Sequence, residues 1–360
     1  MKVGILTFHN AYNYGAVLQT YATQEIVKSY GHEVEIIDYH NKAIDYHYES
    51  RKLHLNNIPI RKFYQLPFYF IEKYFYWKRR KGYHKFTSEY LQLSQKKYHQ
   101  KDTNSISQYD IIIVGSDQLW NKKITGGWDK MYWGDFKTPS GTRKVAWSIC
   151  MNNIDLNEDD ILFVKKHLEN FDLISVRESG LLSFISGLTT KSVYQTLDPT
   201  LVLPSANWEN VCHDVKEKGY IAVYAVQDEE KAIAYARKIA SLQKKSLIII
   251  RSYSKWYFTK ENKEFAGPDD FLSYIRYADM VITTSFHGAV FSVIYQKQFV
   301  CPLFRDNVRV KSLLDSLHIS ERIVKTMSDY HSLQPIDYAR VNRDLDTLRG
   351  RTLNVWNTIL

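Results

Sequence analysis

Short apolar runs alternate with longer amphipathic stretches from the first residues of the chain. Residues 2–8 form a strand pattern, residues 15–30 carry apolar positions on one helical face, and residues 33–39 form a second strand pattern. Gly31 lies where the helix is expected to end, because glycine commonly follows a helix C-terminus. A strand, a helix and a second strand in this order predict a βαβ unit and therefore a parallel sheet.

The same alternation continues along most of the chain. Further strands are predicted at residues 109–114, 144–148 and 173–177, and a turn-rich stretch at 196–200 resembles an inter-domain link. A second series follows, with strands predicted at 219–226, 246–251, 280–284 and 298–303 and helices at 228–242, 268–277 and 288–296. This pattern predicts an α/β protein with two Rossmann-like, doubly wound domains.

The predicted domains are residues 1–197 and 198–335, followed by an amphipathic helix at 336–360 that is broken near Gly350 and packs back on the first domain. Residues 45–95 interrupt the alternation with many aromatic side chains and a basic run that ends at Lys81. We interpret this block as a helical insert packed on the first domain. A basic aromatic helix lying at a membrane interface is the alternative.

Composition places the chain among globular proteins, with 360 residues, 44% hydrophobic and 24% charged. Three cysteines lie far apart without paired spacing, which argues against a disulfide framework and favours a reducing compartment. The first residues form a strand pattern and no apolar run is long enough to span a bilayer. We therefore expect a cytoplasmic protein, and peripheral contact with the inner face of the membrane stays open. A net charge of +9 favours anionic partners, but without a long basic tail we expect no nucleic acid.

Polar residues follow several predicted strands, which is where open α/β sheets bind charged ligands. The candidates, in chain order, are Asn10, Asn13 and Gly15, then Ser116, Asp117 and Gln118, then Arg177, then Ser285, His287 and Gly288, and finally Arg305. A guanidinium at a strand end can bind a carboxylate or a phosphate through two hydrogen bonds.

Each candidate also has a structural interpretation. Ser285 can cap a helix, Gly288 can allow close packing, and His287 can be a buried histidine with protein partners. Arg177 can form a salt bridge with Glu178 or another nearby acid, and the asparagines and Asp117 can belong to ordinary turns. Both interpretations stay open at this point.

The sequence lacks the motifs of several common sites. No pair of histidines has the helical spacing of a zinc site, so we expect no metal. Neither a Gly-x-Gly-x-x-Gly nor a Gly-Lys-Ser/Thr loop is present, which argues against a dinucleotide oxidoreductase and a P-loop NTPase.

Taken in order, the motifs resemble the polysaccharide pyruvyl transferase family. The segments that carry the resemblance are 4–19, 114–121, 175–178, 197–200, 267–268 with Phe271, and 278–288. The resemblance implies a fold like that of GT-B glycosyltransferases. It also implies transfer of pyruvate from phosphoenolpyruvate, with no further cofactor, to two hydroxyls of a sugar in a capsular, exopolysaccharide or cell-wall glycan, leaving a cyclic ketal. The acceptor would be a glycan or a lipid-linked sugar, on the side of the 45–95 insert.

This chemistry needs positive charge for a small dianion, a general acid and a general base. Under the resemblance we expect His287 to be the acid and Asp117 the base. Ser285 and Gly288 would hold phosphate, while Asn13 and Gln118 would orient the sugar or carboxylate. Two alternatives remain, a nucleotide-sugar glycosyltransferase on the same architecture and a non-catalytic partner in glycan assembly.

Overall fold

The computed structural model describes residues 1–49, 66–100, 106, 108–151, 155–251, 261–263 and 265–360. Its strands are β1 (Lys2–Leu6), β2 (Glu33–His40), β3 (Leu93–His99), β4 (Ile111–Asp117), β5 (Arg143–Ile149), β6 (Leu173–Val176), β7 (Val193–Gln195), β8 (Tyr220–Tyr224), β9 (Ser246–Ile250), β10 (Asn262–Lys263), β11 (Met280–Thr283), β12 (Gln298–Pro302) and β13 (Ile323–Val324). Strands and helices alternate along the described residues, which confirms the predicted α/β class.

The helices connect and cover these strands. They are α1 (Tyr14–Ser29), α2 (Lys42–Glu49), α3 (Leu66–Tyr90), α4 (Lys122–Thr125), α5 (Glu158–Leu168), α6 (Ser179–Ser186), α7 (Pro199–Val202), α8 (Ser205–Glu209), α9 (Glu229–Gln243), α10 (Pro268–Arg276), α11 (Phe286–Ile294), α12 (Val308–Ser316), α13 (Met327–His331) and α14 (Tyr338–Ile359), with 3₁₀ turns at Lys130–Trp133 and Ser320–Arg322. Among the described helices, none combines the length and the apolar character needed to cross a membrane.

The chain divides into two compact units. Unit 1 consists of Met1–Ser50, Thr87–Leu203 and Asp346–Leu360, and unit 2 consists of Arg51–Phe86 and Pro204–Leu345. The boundary between the two α/β series therefore falls after Leu203, a few residues beyond the position predicted from the turn-rich stretch. The short helix α7 begins at Pro199 within that stretch, with Asp198 as its N-cap.

Unit 1 contains a sheet of seven parallel strands in the order β3-β2-β1-β4-β5-β6-β7. The direction of winding reverses between β1 and β4, where Val3 is paired with Ile111 and Leu6 with Val114. This position is the switch point of a doubly wound sheet, and ligands of such folds bind beside the carboxyl ends of the strands there. The central strands are apolar on both faces because helices cover both sides of a parallel sheet.

Unit 2 repeats this topology with six strands in the order β10-β9-β8-β11-β12-β13, again with parallel pairing. Its switch point lies between β8 and β11, where Thr283 is paired with Tyr224. Trp208 and Phe291 pack edge to face in its core, with ring centroids 4.9 Å apart. The predicted pair of doubly wound α/β sheets is therefore confirmed.

The aromatic and basic block does not form an insert of unit 1 alone. Helix α3 begins in unit 2 and ends in unit 1, since the boundary between the units falls after Phe86. Within unit 2, Gly82 lies against Gly267, where an added side chain would lie 3.0 Å from the Gly267 Cα, and Lys85 pairs with Asp269 at 3.5 Å. The insert was expected to pack on the first domain, and this expectation is wrong because part of α3 belongs to unit 2. Residues 50–65 of that block lie outside the described residues.

Helix α14 is continuous through Gly350, contrary to the predicted break. Its last part belongs to unit 1, where Trp356 is fully buried against Trp147 with ring centroids 4.1 Å apart. The Arg143 guanidinium donates to the backbone oxygen of Ile359 at 2.9 Å. A glycine only weakens a helix, and tertiary contacts on either side of it can hold the helix together.

Candidate functional site

The switch point of unit 1 is held together by a buried glutamine. Gln19 on α1 donates through Nε2 to the Thr7 hydroxyl after β1 at 2.8 Å, and its Oε1 accepts from the Ser116 amide at the end of β4 at 3.2 Å. The Thr7 hydroxyl in turn donates to the Ser116 backbone oxygen at 3.1 Å. A buried polar side chain must be bonded to be tolerated, and Gln19 satisfies this by joining two strand ends to a helix. Ser116 is thus fixed in position.

Arg177, just after β6, lies beside Ser116. Its guanidinium donates through Nε to the Ser148 backbone oxygen at 3.0 Å and through Nη2 to the Ser116 hydroxyl, and Nη1 lies 2.5 Å from Asp198 Oδ2. Although burial opposes the charged form, Asp198 raises the pKa of Arg177 further above its ordinary range. Arg177 therefore forms an ion pair within the protein, as its structural interpretation expected. The partner is Asp198, a nearby acid, and not the adjacent Glu178.

This pairing argues against direct anion binding, which was one of the two interpretations of Arg177. All three guanidinium nitrogens contact protein groups, and the residue is only 8% exposed. Its charge is balanced by a carboxylate, so little is left to neutralise a bound phosphate. The geometry favours a positioning role, in which Arg177 holds Ser116 and the neighbouring Asp117.

Asp117 ends β4 in an unusual backbone conformation. Its φ is 82°, a region that residues other than glycine rarely occupy and that is enriched at functional sites. Its backbone oxygen accepts from the Cys150 amide at 2.9 Å, and its side chain is buried. The next residue, Gln118, accepts through Oε1 from Asn121 at 2.8 Å, as expected for a turn.

The asparagines after β1 have structural roles in unit 1. Asn13 caps α1, since its Oδ1 accepts from the Ala16 amide at 3.2 Å. Asn10 donates to Asp45 at 2.8 Å and lies 3.1 Å from His40 Nδ1, so its amide is directed towards a charged cluster. Gly15 is buried in the first turn of α1.

That charged cluster was not predicted from the sequence. His9, Asp38 and His40 place one ligand atom each within 4.8 Å of the others, at the carboxyl ends of β1 and β2. Hydrogen bonds with Asp38 and Asp45 raise the pKa of His40 to about 9. Burial acts in the opposite direction on Asp38, but its bonds to His40 and His9 bring the pKa of Asp38 well below its usual range. The sequence carried one signal for this cluster, the spacing of Asp38 and His40, because alternate residues of a strand lie on one face.

At the switch point of unit 2, the two threonines are bonded within the protein. The Thr283 hydroxyl donates to the Tyr224 backbone oxygen at 2.6 Å, and the Thr284 hydroxyl accepts from the Val226 amide at 3.0 Å. Their polarity is therefore explained without a ligand, and they join β11 to the end of β8.

Ser285, His287 and Gly288 form the first turn of α11. Ser285 is the N-cap by position, but its side chain makes no capping hydrogen bond. His287 is buried, and its ring meets that of Phe286 edge to face at 5.0 Å. A side chain at Gly288 would lie 2.1 Å from the Thr283 hydroxyl oxygen, so glycine is needed here for close packing. Gly288 can serve this packing role while a ligand binds at the adjacent helix N-terminus.

Two arginines follow β12 with different surroundings. Arg305 is three-quarters exposed and pairs through Nε with Asp228 at 3.1 Å. Arg309 on α12 places its guanidinium carbon 5.9 Å from the centroid of the Phe286 ring, beside the first turn of α11. Arg309 therefore places a positive charge beside that turn, and it was not among the predicted site residues.

The predicted candidates thus gather at two switch points. Ser116, Asp117 and Arg177 lie together in unit 1, and Ser285, His287 and Gly288 lie together in unit 2. A family model for polysaccharide pyruvyl transferases matches residues 13–301, which include both groups. The chain belongs to the polysaccharide pyruvyl transferase family. The resemblance carried by the sequence motifs is confirmed. Two α/β units with polar residues at their switch points are consistent with a family of transferases.

Solved structures similar to this pyruvyl transferase family member share little sequence with it. A Streptomyces glycosyltransferase, SsfS6, is 10% identical with a TM-score of 0.41 over 98% of this chain and 96% of its own. A UDP-GlcNAc 2-epimerase from Methanocaldococcus jannaschii is 11% identical with a TM-score of 0.47 over 97% and 99%. An alpha-glucosyltransferase in complex with UDP is 11% identical with a TM-score of 0.44 over 98% and 95%. No curated protein matches the chain. At these values the structures carry no argument about substrate.

Proposed function

We propose that the protein transfers pyruvate from phosphoenolpyruvate to two hydroxyls of a sugar in a capsular, exopolysaccharide or cell-wall glycan. The observation that carries this proposal is the family match over residues 13–301. In the reaction, one hydroxyl loses its proton to the base and its oxygen bonds to C2, while the C2–C3 double bond becomes single as C3 gains a proton from the acid and becomes a methyl group. The second hydroxyl oxygen then bonds to C2 as the bond from C2 to the phosphate oxygen breaks, and its proton leaves with inorganic phosphate.

The first turn of α11 supports binding of the phosphate. Amides at a helix N-terminus have no partner within the helix and attract anions, and the helix dipole adds to this attraction. The Ser285 hydroxyl is not used as a cap, and Arg309 adds positive charge nearby. In this proposal Ser285 and the amide of Gly288 hold phosphate.

His287 is the proposed acid that protonates C3. It is buried one residue beyond the start of α11, beside the turn proposed to hold phosphate. Asp117 is the proposed base for a sugar hydroxyl, because its buried carboxylate is held at a switch point in a fixed backbone conformation. Gln118 and Asn13 would orient the sugar or the carboxylate of phosphoenolpyruvate. Arg177 would hold Ser116 and Asp117 in position.

The activity is tested by incubation with phosphoenolpyruvate and a panel of nucleotide-linked and lipid-linked sugars. We expect phosphate release together with the mass of a pyruvate ketal on one acceptor. We also expect phosphoenolpyruvate to raise the melting temperature, since a ligand of the native state stabilises it, while uridine diphosphate does not. Stabilisation by uridine diphosphate alone, with glycosyl transfer and no ketal, would replace pyruvyl transfer by the glycosyltransferase alternative.

Replacement of the proposed acid gives the sharpest single test. His287→Ala should lower kcat by about a hundredfold or more, which is typical for loss of a general acid. The control is His318→Ala, because the His318 side chain is exposed and its ring pairs with a surface carboxylate, Asp344, at 3.2 Å. Near wild-type turnover of His287→Ala with a proven acceptor would remove the acid assignment and leave the family activity standing.

A further inference from the structure

The His9, Asp38 and His40 cluster has the composition of a metal site. His9 Nε2 lies 3.0 Å from Asp38 Oδ1, and His40 Nε2 lies 2.9 Å from the same oxygen. We propose that these three side chains bind one divalent transition-metal ion. The proposed pyruvyl transfer gives this cluster no role.

The fold explains why the three residues meet. Asp38 and His40 are alternate residues of β2 and therefore lie on the same face of the sheet. His9 follows β1, the parallel neighbour of β2 in unit 1. The side chains converge at the carboxyl edge of the sheet, although they are far apart in the sequence.

The distances suit ligands that share one ion. Two ligands at right angles, each about 2.1 Å from a metal, lie about 3.0 Å apart. Both pairs of a histidine with Asp38 are separated by this amount. Two imidazoles and one carboxylate form a set used by iron, manganese and zinc, whereas magnesium and calcium prefer oxygen ligands.

The second nitrogen of each histidine has the contact that metal ligands usually make. Metal-binding histidines almost always direct their other ring nitrogen at a carboxylate or a backbone oxygen, which fixes the ring. His9 Nδ1 lies 3.4 Å from the Thr7 backbone oxygen, and His40 Nδ1 lies 3.4 Å from Asp45 Oδ2. The Asn10 amide nitrogen lies 3.1 Å from the same His40 nitrogen, so in the metal-bound form this amide would turn its oxygen towards the ring. Both Nε2 atoms are thereby aimed at the common centre. An ion pair between a histidine and an aspartate, without a metal, does not require such contacts at Nδ1 of both rings.

The surroundings leave one side of the cluster accessible. His9 and Asp38 are buried, while the His40 side chain is 24% exposed. Lys97, a largely exposed residue, places its Nζ 4.0 Å from the other carboxylate oxygen of Asp38. Asp38 and Asp45 together supply two negative charges against it. Three protein ligands at an accessible edge leave coordination positions for water or a substrate oxygen.

The test is metal binding by the full chain after treatment with a chelator. Titration with Zn²⁺ and Mn²⁺ in a calorimeter should show one ion per chain and tighter binding than Mg²⁺. His9→Gln and His40→Gln should each weaken Zn²⁺ binding by more than tenfold, and Asp45→Asn by about tenfold or more through loss of ring orientation. His318→Gln is the matched control, since it removes an exposed histidine that pairs with Asp344, and it should bind as the wild type does.

Equal Zn²⁺ affinity in the wild type, His9→Gln and His40→Gln would overturn the site, as would the absence of a one-to-one transition. If the variants fail to fold, imidazole nitrogen NMR spectra of the wild type give the answer without them. We expect Zn²⁺ to shift the Nε2 resonances of two histidines and to leave their Nδ1 protons in place, and unchanged spectra would contradict the proposal. Because the readout is binding, failure here leaves the pyruvyl transfer proposal untouched.

Discussion

At the scale of single residues, buried polar groups at the strand ends are bonded to each other. Arg177 and Asp198 form an ion pair that also holds Ser116 through its hydroxyl. The guanidinium and the carboxylate are both almost fully buried, so each depends on the other to offset the loss of water. Removing one partner therefore leaves an uncompensated charge in the interior.

Asp198→Asn should lower the free energy of unfolding by about 3–5 kcal/mol, because Arg177 keeps its buried charge without a partner. Chemical denaturation measures this loss. The control is Glu261→Gln, which breaks the exposed pair of Arg237 and Glu261 and should cost less than about 1 kcal/mol. Equal small losses in the two variants would show that the buried ion pair is not structurally important.

Gly288→Ala should also destabilise the protein. The new methyl group would lie 2.1 Å from the Thr283 hydroxyl oxygen and 2.9 Å from its Cβ, so α11 would have to move away from β11. Overpacking of this kind costs about 1–3 kcal/mol. Denaturation measures the loss, and a stability equal to that of the wild type would mean that the turn has space that this geometry does not show.

At the scale of elements, strands and helices with strong apolar periodicity were predicted from the sequence, and those with weak periodicity were missed. The strands β1, β2 and β4 and the helix α1 match the apolar patterns. Strand β3 was not predicted because it is an edge strand of which only Ser94 and Tyr98 are buried, so its sequence shows little alternation. The predicted break in α14 was wrong because a local preference of glycine was outweighed by contacts on both sides.

The continuity of α14 predicts that Gly350→Ala stabilises the protein. Apart from the neighbouring turns of the helix itself, no atom of the described residues lies within 4 Å of the position that the added methyl group would occupy. Alanine is favoured over glycine within a helix by about 0.5–1 kcal/mol, so the free energy of unfolding should rise by that amount. A decrease in stability on denaturation would indicate that the helix is broken at Gly350 after all.

At the scale of the whole molecule, distant chain segments complete each unit. Unit 1 needs the C-terminal residues Asp346–Leu360, which bury Trp356 against Trp147. Unit 2 includes the part of α3 that lies against Gly267. The order of residues along the chain therefore does not correspond to a simple succession of domains.

Trp356→Ala should destabilise unit 1 by about 3–5 kcal/mol, since it removes a fully buried aromatic side chain and leaves a cavity beside Trp147. Chemical denaturation measures this loss. Leu353→Ala on the same helix is the control, because Leu353 is 37% exposed and little packing is lost. A similar effect of both substitutions would mean that the end of α14 does not complete the core.

The sequence by itself determined the α/β class, the two doubly wound units and the family, because apolar periodicity and ordered motifs are local properties of the chain. It also brought His287 and Ser285 to one helix start. Only the tertiary structure decided that Arg177 pairs with Asp198, that the end of α14 completes unit 1, and that His9 meets Asp38. Those contacts join residues that are distant in sequence. The buried ion pair and the contact of His9 with Asp38 form when parallel strands align their carboxyl ends at one edge of a sheet, and the end of α14 packs only once β5 presents Trp147.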